Sequence, residues 1–302
     1  MKIDTNIFRG AVGEASILPN EPMKRHTTYK IGGPCDVMLV PESVEQLLEL
    51  IDICNKNGIP FYVMGNGSNL LVKDGGIRGA VIKVSNKMSD ISIDASTVKA
   101  QAGALLGTIV RKAYENSLSG LEFAAGIPGS FGGAVTMNAG AYGGDMKQIV
   151  KRILVCDRSG NCFTLEKDEL MFGYRQSVIR QKDLIILSGE MELSEADRTD
   201  VKEKMDVLAA KRKAMQPLSQ PSCGSVFKRP EGHFIGKLIE DAGLKGTAVG
   251  GAEVSQLHAN FIVNVNNATA RDVLELIEVV KERVKDTFGI NIETEVIVIG
   301  ED

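Results

Sequence analysis

The sequence predicts a protein of mixed helices and strands, divided into two or three domains. Its 302 residues exceed the size at which a single hydrophobic core usually stops growing. Segments with the character of strands and segments with the 3.6-residue periodicity of helices follow one another along the chain. Hydrophobic residues make up 43% of the chain and charged residues 25%, which is ordinary for a globular protein.

The first part of the chain predicts a small βαβ unit. A helix is expected between two apolar, strand-like segments. Ser43 and Gln46 form the pattern of a capping box that opens this helix, and Gly58 ends it. Strands are expected at 34–40, 60–64, 70–72 and 80–84.

From about residue 90 to residue 193, strand patterns dominate. The tetrapeptide DRSG at 157–160 separates two apolar runs, 153–156 and 162–165, which is typical of a β-hairpin. A helix is predicted near 104–116, and the strand DLIILSGEMEL ends this region.

The last third begins with a highly charged helix at 195–215, which is typical of a solvated connector between domains. A helix over 270–288 has one apolar face, with Thr269 as its cap and Gly289 as its stop. Also expected are a loop at 216–230, a helix near 233–242, a strand at 260–265 and the terminal strand NIETEVIVIG.

Composition and charge exclude several classes of protein. The net charge of −4, without a basic stripe, argues against a nucleic-acid partner. The apolar runs are too short to span a membrane, and the polar N-terminus lacks the apolar core of a signal peptide. Five cysteines without a CxxC pair and three scattered histidines predict reduced thiols in a cytoplasmic protein and no metal site.

The segment GNGSN at 65–69 follows a predicted strand, as a phosphate-binding loop does. It does not match the dinucleotide fingerprint, because Leu70 occupies the position of the third glycine. The chain also lacks the GK[ST] of a P-loop. By itself this loop fits a tight structural turn as well as a ligand-binding loop.

Glycine is concentrated in a second segment, 120–144, which holds eight of the 32 glycines. Without a Cβ, a glycine backbone can approach a ligand closely, and successive amides form an anion-binding nest. Apolar Phe131, Val135 and Met137 are interleaved with the glycines, which favours an ordered, partly buried segment over a flexible surface loop. Two such loops on adjoining domains can hold a pyrophosphate without a Rossmann fold.

Together the two loops, MGNGSNLLV and GIPGSFGGAVTMNAGAYGG, resemble the FAD-binding loops of the UDP-N-acetylenolpyruvoylglucosamine reductase family. The similarity covers nearly the whole chain. It continues, in the same order, in RHTTYKIGGPCD (25–36), GYRQS (173–177), PSCGSVFKRP (221–230), LIEDAGLKGTAVGGAEVSQLHANFIVN (238–264) and IETEV (292–296).

The resemblance implies an α+β flavoenzyme of three domains, with a PCMH-type (vanillyl-alcohol-oxidase-like) FAD-binding region and a separate substrate-binding domain. The implied boundaries are 1–80 together with 293–302, then 81–196, for the two FAD-binding subdomains, and 210–292 for the substrate-binding domain. The implied cofactor-binding residues are Gly65, Asn66, Gly67, Ser68, Asn69 and Leu70 in the first loop, and Gly126, Ile127, Pro128, Gly129, Gly132, Gly133, Asn138, Ala139 and Gly140 in the second.

The resemblance also implies the reaction: reduction of UDP-N-acetylglucosamine enolpyruvate to UDP-N-acetylmuramate in peptidoglycan precursor synthesis. FAD is expected to be bound non-covalently, and NADPH is the expected co-substrate. The expected protein is a cytoplasmic monomer whose partners are the UDP-sugar and NADPH. Hydride addition drives negative charge toward the substrate carboxylate, so a cation must stabilise that charge and an acid must protonate the neighbouring carbon.

The resemblance makes Ser225 the acid, Arg175 the cation and Glu295 a third catalytic residue. Each has an alternative: a turn hydrogen bond for Ser225, a surface ion pair for Arg175 and an ion pair at the end of a strand for Glu295. For Glu295 the pattern adds an argument, because both faces of the terminal strand become apolar after it. A carboxylate entering such a covered environment needs a partner.

Tyr174 and Lys228 are the implied substrate-binding residues, although Tyr174 fits a core position and Lys228 a solvated one. His26 and His258 fit structural or flavin-adjacent positions better than catalytic ones. No tyrosine follows Tyr174, so the chain resembles the shorter subgroup of the family, which lacks a tyrosine-bearing insertion. The rival hypotheses are an FAD-dependent alcohol or sugar oxidase of the same fold and a flavin-binding or nucleotide-binding module without catalysis.

Overall fold

Two groups of residues, each with its own hydrophobic core, make up the computed structural model, which describes residues 3–302. Unit 1 comprises the chain up to Pro19, Val37–Asn66 and Gly79–Arg212. Unit 2 comprises Asn20–Asp36, Gly67–Arg78 and Lys213–Asp302. The three-domain division implied by the resemblance stays a prediction.

In the part of the chain that the structure describes, the five longest α-helices lie close to where the sequence predicts them, whereas the three shortest α-helices were not predicted. Within residues 3–302, no helix is both long enough and apolar enough to cross a membrane. The α-helices are α1 (Val44–Lys56), α2 (Leu106–Glu115), α3 (Phe131–Thr136), α4 (Met146–Ile149), α5 (Val178–Gln181), α6 (Arg198–Met215), α7 (Ile235–Asp241) and α8 (Ala270–Phe288). Short 3-10 helices cover Thr5–Phe8, Glu14–Ser16, Met23–Arg25, Asn86–Met88, Glu122–Ala124 and Lys167–Leu170.

The strands are short, and most are antiparallel to a neighbour. They are β1 (Ile17–Pro22), β2 (Pro34–Leu39), β3 (Phe61–Met64), β4 (Leu70–Val72), β5 (Ile77–Lys83), β6 (Ile91–Asp94), β7 (Thr97–Gln101), β8 (Leu118–Ser119), β9 (Gly140–Ala141), β10 (Gly144–Asp145), β11 (Val150–Cys156), β12 (Cys162–Glu166), β13 (Ile185–Glu192), β14 (Ser194–Glu195), β15 (Ala248–Val249), β16 (Ala252–Val254), β17 (Ile262–Asn264) and β18 (Ile297–Ile299).

The predicted βαβ unit is present as β2, α1 and β3, with β5 between the two strands in the sheet order β1-β2-β5-β3. Strands β3 and β5 run parallel. The Ser43 hydroxyl caps α1 by accepting from Gln46 N at 3.3 Å, as predicted. The Gln46 side chain accepts from Glu42 N at 2.8 Å, so the second half of the predicted capping box is shifted by one residue.

Unit 1 is built on a five-stranded antiparallel sheet of order β12-β11-β13-β7-β6, which contains the predicted hairpin β11–β12. Gly189 in β13 positions the helix that follows the second glycine loop. A Cβ on Gly189 would lie 2.3 Å from Ile153 Cδ1 and 3.0 Å from Phe131 Cε1. Glycine therefore allows the fully buried Phe131 of α3 to pack directly on the sheet.

Unit 2 holds the sheet β15-β16-β17 and the long helix α8. Helix α8 begins and ends where the sequence predicts, with a capping box between Thr269 and Asp272 and a left-handed Gly289 (φ 72°) as its stop. The terminal strand is shorter than predicted. Only β18 is a strand, parallel to β4, because the residues before it bond instead to the segment around Phe227.

Candidate active site

The loop Gly65–Asn69 leaves its backbone donors unused by the protein. Among residues 3–302, none of its five successive N–H groups donates a hydrogen bond to another part of the chain. A purely structural turn would use some of these amides to close itself. A row of unused amides is instead suited to the oxygen atoms of a phosphate.

The second glycine loop is ordered, as predicted, and contains the helix α3, which the sequence did not predict. Its start is held by Phe131 N, which donates to Ala104 O at 2.7 Å. A Cβ on Gly132 would lie 3.0 Å from Ala102 Cβ, so a larger residue would crowd this contact. A Cβ on Gly133 would meet nothing closer than Ser130 Oγ at 3.5 Å. Gly133 therefore faces open space.

Unit 1 brings the start of the first loop against the second. The Asn66 side chain donates from Nδ2 to Pro128 O at 2.5 Å. A Cβ on Gly65 would lie 2.2 Å from Ser130 Oγ, so a larger residue there would displace the Ser130 side chain. Within unit 1, the unused amides of Gly65 and Asn66 and the open position at Gly133 suit the phosphate oxygens of FAD, which is the cofactor that the sequence predicts.

Arg212 is a cation at the second loop that the sequence analysis missed. It lies in α6, which was predicted as a solvated connector; most of that helix is exposed, but Arg212 is partly buried. A Cβ on Gly126 would lie 2.6 Å from Arg212 Cδ. Burial lowers the pKa of the Arg212 guanidinium, although the group stays charged at neutral pH. A partly buried cation beside a glycine loop favours an anionic ligand.

Asn138, predicted to bind the cofactor, uses its side chain inside the protein. The residue is 4% exposed. Its Nδ2 donates to Gly173 O at 3.0 Å and to Asp145 Oδ2 at 3.3 Å, and its Oδ1 accepts from Lys147 N at 2.9 Å. The cofactor-binding role of residues 138–140 stays a prediction.

Arg175 and Tyr174 lie at the tip of a tight turn in unit 1. Gly173 and Gln176 exchange two backbone hydrogen bonds, of 3.1 and 3.2 Å, across the turn. The Arg175 guanidinium lies 5.2 Å from the centre of the Tyr174 ring, and its Nη2 donates to Gly140 O at 3.2 Å. Tyr174 is 53% exposed, so the core alternative for this residue is wrong.

Ser225 and Glu295 are brought together in unit 2 by backbone pairing. Glu295 N donates to Val226 O at 2.7 Å, and Lys228 N donates to Glu293 O at 2.9 Å. Among the described residues, the Ser225 hydroxyl has no hydrogen-bond partner, so the alternative of a turn hydrogen bond fails. A half-buried hydroxyl without a partner is available to a ligand.

Asn260 holds the Ser225 segment, and the sequence analysis missed it. Its side chain forms two hydrogen bonds of 3.0 Å with the backbone of the buried Phe227. Oδ1 accepts from Phe227 N, and Nδ2 donates to Phe227 O. Its carbonyl accepts from Val226 N at 2.8 Å. The sequence analysis considered His258, in the same motif QLHAN, because it is titratable. In the structure it is the Asn260 side chain that holds the backbone next to Ser225.

The remaining polar candidates all have partners within the protein. Burial lowers the pKa of His258, whose Nδ1 accepts from Asn260 N at 3.2 Å. The His26 ring bonds to Glu21 at 3.0 Å, and Lys228 forms an ion pair of 2.8 Å with Glu293. In the part of the chain that the structure describes, no three His, Cys, Asp or Glu side chains are grouped as metal ligands.

Comparisons with known proteins show the family to which this chain belongs. Residues 35–166 match the FAD binding domain family, and residues 216–299 match the C-terminal domain of UDP-N-acetylenolpyruvoylglucosamine reductase. The reductase of that name from Clostridium botulinum (strain 657 / Type Ba4) is 50% identical over 295 residues, which cover 98% of this chain and 96% of the relative. The one from Alkaliphilus oremlandii is 51% identical over 288 residues, covering 95% and 94%.

A solved structure supports the same assignment. The crystal structure of UDP-N-acetylenolpyruvylglucosamine reductase from Thermus caldophilus is 35% identical, covers 93% of this chain and 97% of its own, and has a TM-score of 0.79. The predicted α+β fold with an FAD-binding domain is therefore confirmed. Half of all positions are shared with reductases over almost the full length, and so this chain belongs to the UDP-N-acetylenolpyruvoylglucosamine reductase family.

Proposed function

We propose that this chain reduces UDP-N-acetylglucosamine enolpyruvate to UDP-N-acetylmuramate, with FAD as cofactor and NADPH as co-substrate, in peptidoglycan precursor synthesis. The observation that carries the proposal is the Ser225 hydroxyl, which has no hydrogen-bond partner within residues 3–302 and lies on a segment bonded to Glu295, in a chain that is 50% identical to a reductase of this family. The alternative of an alcohol or sugar oxidase is not better supported.

FAD, when bound, supplies the hydride chemistry that links NADPH to the substrate's double bond. The chain's own contribution is to hold the cofactor. The unused amides of Gly65 and Asn66 bind phosphate oxygens, and Gly133, in the same unit, leaves room for them. The Arg212 cation beside Gly126 adds a favourable charge for an anionic group.

Three side chains act on the substrate in this proposal. Arg175 stabilises the negative charge that develops at the carboxylate, in the fork geometry that a guanidinium offers. The Ser225 hydroxyl donates a proton to the neighbouring carbon, which is a stronger base than the alkoxide left behind. Glu295 helps to orient the substrate carboxylate.

Two further residues are proposed to contact the nucleotide part of the substrate. Tyr174 offers an exposed ring at the tip of its turn. Lys228 is paired with Glu293 at 2.8 Å, so it would exchange that carboxylate for a substrate phosphate. Both partners of the ion pair are solvent-accessible, and such pairs contribute little, so the exchange costs little.

The proposal includes three domains, at 1–80 with 293–302, 81–196 and 210–292. The parallel pairing of β18 with β4 supports the inclusion of the C-terminal strand with the first segment. We also propose that the protein is cytoplasmic and monomeric. Its five free cysteines are consistent with a reducing compartment. Light scattering of the purified protein would measure its molecular mass and so test the monomeric state.

The experiment is anaerobic and follows flavin absorbance in two steps. Purified protein should carry FAD, lose its visible absorbance on addition of NADPH, and regain it on addition of UDP-N-acetylglucosamine enolpyruvate. Ser225→Ala should leave the first step near the wild-type rate and slow the second by at least ~10²-fold, the lower range for loss of a positioned acid. Ser225→Cys restores a proton donor and should recover part of the loss.

Ser222→Ala is the matched control, because it removes a hydroxyl from the same loop without touching the proposed acid. It should leave both steps unchanged. If Ser225→Ala slows both steps equally, or neither, Ser225 is not the acid. If the substrate fails to restore the absorbance of the unmodified protein, the proposed reaction is wrong.

A further inference from the structure

The turn that carries Arg175 has an unusual backbone. The Arg175 backbone is left-handed, with φ 55°, a conformation that residues other than glycine and asparagine seldom adopt. The two hydrogen bonds between Gly173 and Gln176 close the turn. The guanidinium donates from Nη2 to Gly140 O at 3.2 Å, and bonds from outside the turn hold the turn in the orientation that makes this contact.

Two side chains outside the turn hold it from either side. Asn138 donates from Nδ2 to Gly173 O at 3.0 Å, immediately before the turn. Ser177, which is fully buried, donates from Oγ to Thr136 O at 2.7 Å, immediately after it. Both bonds connect the turn to the end of the second glycine loop, so the loop restrains the turn.

The chemistry of the Asn138 position requires an amide. The side chain donates two hydrogen bonds and accepts one. Only the planar amide of asparagine or glutamine carries both an NH₂ donor and a carbonyl acceptor. An aspartate would direct a carboxylate at the Gly173 carbonyl and at Asp145. Asn138 also has a left-handed backbone, with φ 41°, which asparagine tolerates better than most residues.

We infer that Asn138 is a positioning residue for Arg175: it orients the turn through the Gly173 carbonyl, and its side chain does not bind FAD. This inference rests on the proposed role of Arg175 toward the substrate carboxylate. The alternative is the role predicted from the sequence, in which Asn138 contacts the cofactor. Its amide hydrogens are already both donated within the protein, which favours the positioning role.

The first test replaces Asn138 by glycine, which removes the amide and keeps the left-handed backbone without strain. Asn267→Gly is the matched control, because Asn267 is an exposed asparagine with φ 49° and no side-chain hydrogen bond to the described residues. Asn138→Gly should keep its FAD and its rate of bleaching by NADPH. Its reoxidation by the enolpyruvyl substrate should slow by ~10–10²-fold, the cost of a small misplacement.

A second readout is substrate affinity, measured by calorimetric titration without NADPH. Asn138→Gly should weaken it by a factor close to that of Arg175→Lys, and the double variant should be little worse than Arg175→Lys alone, because both changes act on one contact. Fully additive effects would overturn the inference, as would loss of FAD or equal slowing of both steps in Asn138→Gly.

Ser177→Ala keeps the inference testable if Asn138→Gly does not fold, because it loosens the same turn from its other side. It should reproduce the selective slowing of reoxidation, and unchanged kinetics would count against the inference. If Arg175→Lys itself leaves reoxidation and affinity unchanged, the proposed role of Arg175 fails, and Asn138 cannot act through it. The Ser225 variants then show separately whether the proposed reaction still stands.

Discussion

Replacing Asn260 by alanine tests how the Ser225 segment is held. The change removes both hydrogen bonds between the Asn260 side chain and the backbone of Phe227. Phe227 is 1% exposed, so its backbone groups are shielded from bulk water. Each unsatisfied backbone group costs about 1–3 kcal/mol, so the two together should lower the free energy of unfolding by about 2–6 kcal/mol. That is a large share of the stability of an ordinary domain, about 5–15 kcal/mol.

The assay is urea unfolding of the FAD-free protein, followed by circular dichroism. Asn266→Ala is the control, because Asn266 is exposed and its side chain makes no hydrogen bond with the described residues. It should change the free energy of unfolding by less than about 0.5 kcal/mol. A loss below about 1 kcal/mol in Asn260→Ala would refute the reasoning, because two buried backbone groups cannot lose their partners at so small a cost.

Three more predictions concern the cofactor and pH. Gly133→Val should weaken FAD binding more than it weakens folding. The control Gly107→Val, at a similarly open position in α2, should leave the FAD content unchanged. If both variants bind the same amount of FAD, the second glycine loop has only a structural role. Acid precipitation should release the flavin into the supernatant, and colour in the pellet would mean a covalent bond.

The third of these concerns Glu122. Burial acts to raise the pKa of this carboxyl, but hydrogen bonds from Ser119 and from Gly120 N outweigh it and hold the pKa below its ordinary 4.5. The lowered pKa stabilises the fold above pH 4.5, and this contribution disappears as the pH falls through the lowered value. Glu122→Gln should therefore flatten the acid end of the stability profile, and an unchanged slope would contradict the assignment.

Local sequence determines much of the secondary structure. The cap and stop of α8, the hairpin β11–β12 and the helix α1 each depend on residues within one short segment, so the sequence predicts them well. Helix α3 was missed because its sequence, FGGAVT, contains two poor helix formers. It forms because Phe131 packs on the sheet at Gly189, and that contact depends on a strand more than fifty residues away in the sequence.

The motifs in the sequence by themselves determined the family, the cofactor and the candidate catalytic residues, because those depend on residue types in a recognisable order. Tertiary structure alone decided what holds these residues. The pairing of Glu295 with Val226, the grip of Asn260 on Phe227 and the bond from Asn138 to Gly173 each join segments that are far apart in the chain. Hydrogen bonds between distant segments leave no local pattern, since either partner alone fits an ordinary loop, and their role becomes visible only when the fold brings both partners together.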